Sequence, residues 1–77
     1  MIKLSSLLKV LDCDTITVCY AGFGERIYEG KLKDLTNEHY LNFYVTYISP
    51  NFNHAYIEIH ENKNFIDEEF VKEYIGE

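Results

Sequence analysis

Apolar residues recur at Leu4, Leu7, Leu8 and Leu11, the i, i+3, i+4, i+7 stripe of an amphipathic helix. Ser5 or Ser6 is expected to cap its start by accepting a backbone N–H, and Asp12, Asp14 and Thr15 break the pattern. A helix of about two turns is stable only when docked, so its leucine face is expected to lie on a sheet. The period then changes to two. In TITVCYA, Thr15 to Ala21, Ile16, Val18 and Tyr20 alternate with Thr15, Thr17 and Cys19, which predicts a strand. Ala21-Gly22-Phe23-Gly24-Glu25 reads as a hairpin turn, with glycine supplying positive φ and Phe23 exposed at the tip. RIYEGKLKDL, from Arg26, predicts a second strand with a bulge or bend at Gly30.

TNEHYLN reads as a polar loop or a single helical turn. FYVTYIS, Phe43 to Ser49, is apolar or aromatic on both faces, which predicts a central strand or one at a subunit interface. PNFNH is turn chemistry. AYIEIHE sets Ala55, Ile57 and Ile59 against Tyr56, Glu58 and His60, a half-exposed strand. In IDEEFVKEYIGE, Asp67 stands where an N-cap belongs, Ile66, Phe70, Val71, Tyr74 and Ile75 form an apolar face, and Gly76 ends it. The 77 residues therefore predict one α+β domain: a short N-terminal helix, four antiparallel strands in a strongly bent sheet or small barrel, and a C-terminal amphipathic helix. A helix followed by a bent four-stranded meander resembles the Sm-like and SH3-like small barrels. That resemblance implies edges closed by neighbouring copies.

Composition sharpens this in three ways. A chain this short has a small core, which together with the two-sided aromatic strand leads to the expectation of a homo-oligomer. Net charge is −6, of which −5 falls from Glu58 onward, where seven carboxylates face two lysines. Such a chain repels nucleic-acid backbones, so non-specific nucleic-acid binding is not expected, whereas a basic protein surface would attract it. The two cysteines, Cys13 and Cys19, match no zinc spacing and read as reduced thiols of a cytoplasmic protein. No apolar run reaches membrane-spanning length.

Candidate chemistry is sparse. Gly22 and Gly24 fail the dinucleotide fingerprint, because position 27 is isoleucine and a strand follows. Arg26, Lys31 and Lys33, with Tyr20, Phe23 and Tyr28 nearby, combine cations with stacking surface, as a nucleotide ligand requires. The aromatic group Tyr44, Tyr47 and Tyr56 and the carboxylates Glu68, Glu69 and Glu73 are candidates for a partner surface. His39, His54 and His60 show no metal-ligand spacing, and no nucleophile has a base placed beside it in sequence. The expectation is a non-enzymatic protein without a cofactor or metal.

The residues Leu4, Leu7, Leu8, Asp12, Asp14, Thr15, Glu25, Tyr28, Gly30, Lys31, Asp34 and Leu35 carry a pattern of L-S-x-L-L-x-V-L-D-x-D-T, a strand, a G-E turn and Y-x-G-K-x-x-D-L. Over this first half, the chain resembles a class of small phage and mobile-element proteins of Firmicutes. The resemblance implies an anti-defence role in the host cytoplasm. Two mechanisms are implied: an oligomeric sponge that sequesters a nucleotide immune signal, or an anti-CRISPR-like inhibitor that meets a host nuclease complex with its acidic surface. A structural or regulatory adaptor without a ligand is the third reading.

Overall fold

The computed structural model describes residues 2–62. The expected C-terminal helix, with Glu68, Glu69 and Glu73, lies outside the described residues. The leucine stripe forms α1, Leu4–Val10, with Leu4 and Leu7 buried. Its start is fixed differently from the serine cap the sequence suggests. Lys3 is the N-cap residue and offers no side-chain cap. The backbone does that work: Leu4 N–H donates to Phe43 O at 2.8 Å, and Val45 N–H donates to Ile2 O at 2.8 Å. The segment before the helix thus pairs with a strand, which satisfies an end N–H without a hydroxyl.

The four strands are β1 (Thr15–Tyr20), β2 (Glu25–Lys31), β3 (Tyr44–Pro50) and β4 (His54–His60). Leu32–Asp34 forms a single 3-10 turn, and Glu38–Leu41 forms a one-turn helix, α2, where a loop or helical turn is expected. The sheet order is β2-β1-β4-β3. This corrects the antiparallel meander: β1 pairs with β2 antiparallel but with β4 parallel, so the sheet is mixed and open, with β2 and β3 at its edges. Strand chemistry explains the order. β2 carries Arg26, Glu29, Lys31 and Gly30, which suit an edge, whereas β4 aligns the buried Ala55, Ile57 and Ile59 beside the buried Ile16 and Val18 of β1.

Of the two places expected for FYVTYIS, the central one is corrected, because β3 is an edge strand. Its tyrosines keep a polar tip in water while covering apolar neighbours, so an aromatic strand need not be buried on both faces. Tyr44 is half-buried and Tyr47 is exposed. The expected irregularity in β2 sits elsewhere too. Val18 pairs with Tyr28 and Cys19 with Arg26, so Ile27, not Gly30, is the extra residue. This bulge leaves both Ile27 and Tyr28 against the core and turns Arg26 to the position opposite Cys19. At Gly30 the Tyr28 ring crosses over the backbone. A Cβ there would lie 3.0 Å from the Tyr28 hydroxyl oxygen, which itself donates to Lys31 O at 2.6 Å.

The core is Leu4 and Leu7 of α1, Ile16, Val18, Ala55, Ile57 and Ile59 of the two central strands, Leu35 and Phe43. Helices thus cover one sheet face. Because β1 and β4 run parallel, both central strands end at the same rim of the sheet, where Ala21 N–H donates to Ile59 O at 2.9 Å. That rim carries the candidate site. Among the described residues no helix is long and apolar enough to cross a membrane.

Candidate functional site: an aromatic basin at the rim of the sheet

The turn after β1 forms as expected. Phe23 and Gly24 N–H both donate to Tyr20 O, and Gly22 and Gly24 adopt φ of 86° and 70°, a region open to glycine at no steric cost. Phe23 is 80% exposed, and its ring leans on Tyr20 with centroids 5.5 Å apart. Facing it is α2. Asn37 Oδ1 accepts the His39 N–H at 3.0 Å, an N-cap bond, and Phe43 N–H donates to Tyr40 O at 3.0 Å. This tight winding gathers His39, Tyr40 and Phe43 with centroid separations of 5.0 to 5.8 Å. Phe43 is buried and forms the floor; Tyr20 meets it edge-on at 6.2 Å and 76°.

Between these rings lies an opening of about 320 Å³, lined by Tyr20, Glu25, Arg26, Ile27, His39, Tyr40, Phe43 and Glu61. Its charges are internally ordered. The Tyr20 hydroxyl donates to Glu61 Oε1 at 2.9 Å, and that bond holds the phenol proton and raises the Tyr20 pKa. Arg26 turns to Glu29, with Nη1 3.1 Å from Oε1. Both partners of that pair are well exposed, so it orients Arg26 more than it stabilises the fold. Carboxylates therefore outnumber cations around the basin.

Of the six residues expected to bind a ligand, Tyr20, Phe23 and Arg26 meet at this rim; Lys31, Lys33 and Tyr28 do not join them. Arg26 and Lys31 stand near opposite ends of β2, about 16 Å apart along an extended strand. Lys31 and Lys33 flank a second opening of about 370 Å³ with Cys13, Asp14, Thr15 and Leu32. Lys33 is in the 3-10 turn, so it does not continue the face of β2. The Cys13 thiol there is held neutral, its pKa raised by burial and then by Asp14 and Asp12.

The expected partner tyrosines divide as well. Tyr47 and Tyr56 touch across β3 and β4, with centroids 6.2 Å apart, whereas Tyr44 pairs with Lys3 at the start of β3. The Tyr56 hydroxyl donates to Glu58 Oε2 at 2.8 Å. Burial, then the Glu58 bond, then the neighbouring Cys19 thiol push its pKa far above the ordinary tyrosine value.

His54 carries an arrangement the sequence did not suggest. The Thr15 hydroxyl lies 3.3 Å from Asn53 O and hydrogen-bonds to His54 Nδ1 at 2.7 Å. Nε2 hydrogen-bonds to the Thr17 hydroxyl at 2.9 Å. Thr17 is buried and lines neither opening, so this relay clamps β1 to β4. Among the described residues no three His, Cys, Asp or Glu side chains gather into a metal-binding group. Glu25, Ile27, His39, Tyr40, Phe43 and Glu61 are the basin residues that sequence reasoning missed. The signal for three of them was present: His39, Tyr40 and Phe43 fall at helical spacing just after the capping Asn37. Comparisons of the chain with protein families, with characterised proteins and with solved structures give no match.

Proposed function

We propose that the chain is a non-enzymatic binding protein of the phage type that counters host defence by contact with a partner protein, and that the basin is its contact surface. The observation that carries this reading is the composition of the basin: rings from Tyr20, Tyr40 and Phe43 around an opening whose lining, among the described residues, holds Glu25 and Glu61 with Arg26 and His39. Aromatic surface with few free cations suits a protein side chain better than phosphates. The separation of Arg26 from Lys31 and Lys33 points the same way, because one nucleotide cannot use both ends of β2. An inhibitor of a host nuclease complex fits this chemistry, since such complexes carry basic channels for nucleic acid.

The nucleotide-sponge reading is favoured by one observation, the opening flanked by Lys31 and Lys33. Tyr28, whose hydroxyl donates to Lys31 O, is the aromatic group nearest those lysines. Calorimetry separates the two. Cyclic oligonucleotides and cyclic ADP-ribose isomers are expected to give no heat with the full chain. Heat that disappears in Lys31→Ala or Arg26→Ala, from a protein that elutes as an oligomer, would establish the sponge and overturn protein contact.

A further inference from the structure

We propose that the basin is a receptor for a guanidinium group, an arginine side chain presented by the partner protein; this rests on the protein-contact reading above. The walls are the rings of Tyr20 and Tyr40, over the buried Phe43 as floor. Tyr20 and Tyr40 each meet Phe43 near the perpendicular, at 76° and 80°. Rings packed edge to face keep π faces that parallel stacking would cover, and a cation is attracted to such faces. Guanidinium is planar and weakly hydrated, so it lies against an aromatic wall at a smaller desolvation cost than an ammonium.

Charge completes the match. Glu25 and Glu61 line the opening with Arg26 as the cation. Arg26 is already offset by Glu29 at 3.1 Å, which leaves the carboxylates of the rim uncompensated. Glu61 spends Oε1 on the Tyr20 hydroxyl, and Oε2 takes no hydrogen bond among the described residues. Carboxylate and phenol are thus preordered: Tyr20 is held in place by the group that would accept the incoming N–H. The volume of about 320 Å³ accommodates the end of a long side chain, at the small end of ligand sites. The overall charge of −6 draws a cationic partner toward the chain.

The test is an amide NMR titration of the full chain with N-acetyl-arginine amide, alongside N-acetyl-lysine amide and AMP. Arginine is expected to shift the amides of Tyr20, Gly24, Arg26, Tyr40 and Glu61, and lysine to bind about threefold more weakly. Glu61→Gln keeps an acceptor for the Tyr20 hydroxyl while removing the charge. It should weaken the arginine response several-fold and leave the spectrum of the free protein largely unchanged. Arginine shifts that map away from the basin, or none into the millimolar range, overturn the assignment of the site and leave protein contact to be judged by calorimetry. AMP shifting the basin while arginine does not overturns both.

Discussion

At the scale of single residues, the hydroxyls of Tyr20 and Tyr56 are both held by carboxylates, and the two bonds serve different ends. Tyr20 Oη binds Glu61 at the open rim, where it orients a wall of the basin. Tyr56 Oη binds Glu58 on the sheet face beside Cys19, in surroundings that resist ionisation. The folded state therefore keeps the Tyr56 proton where the unfolded chain loses it, above the ordinary tyrosine value of about 10. The unfolded state then binds fewer protons, so stability falls as pH rises through that value and toward the raised one. Below it the contribution is fully present. Urea denaturation between pH 8 and 11 should show this decline in the wild type and a shallower one in Tyr56→Phe. Equal slopes would mean that Tyr56 is not the group responsible.

At the scale of elements, local pattern was legible and pairing was not. The leucine stripe, the glycine turn and most of the period-two runs located an element to within a residue or two, because each follows from local geometry, whereas RIYEGKLKDL overran β2 by the four residues after Lys31, three of which form a 3-10 turn. Strand order depends on which faces become covered, and that is a property of the assembled core. FYVTYIS illustrates the gap. Its aromatic content suggested a central strand or a subunit interface, and AYIEIHE, with its wholly buried Ala55, Ile57 and Ile59, took the central place. The basin escaped notice for the same reason, since parallel pairing of β1 and β4 is what brings Tyr20 and Glu61 to one rim. The His54 clamp tests that pairing directly. His54→Leu removes both bonds and leaves the buried Thr17 hydroxyl without its partner, an expected loss of about 2 kcal/mol in urea denaturation. Adding Thr17→Val removes the orphaned hydroxyl and should restore much of that loss. Two additive losses would show that His54 and Thr17 contribute independently.

At the scale of the whole molecule, charge has two locations with different consequences. Residues 2–62 hold five basic and eight acidic side chains, net −3, so the other −3 of the total belongs to residues 63–77. Long-range charge sets how often a cationic partner arrives, whereas groups in direct contact set how long it stays. The two can be separated on an immobilised arginine-rich peptide. Reversing Glu68, Glu69 and Glu73 to lysine changes the net charge from −6 to zero, so association should slow and lose most of its salt dependence, with dissociation little altered. Glu25→Gln with Glu61→Gln changes the net charge by only two, yet should speed dissociation several-fold at every salt concentration. If the tail variant instead accelerates dissociation and the basin variant does not, the contact lies in residues 63–77 and the acidic-surface mechanism holds without the basin. Opposite kinetic signatures from the two variants are what an aromatic receptor embedded in an acidic molecule requires.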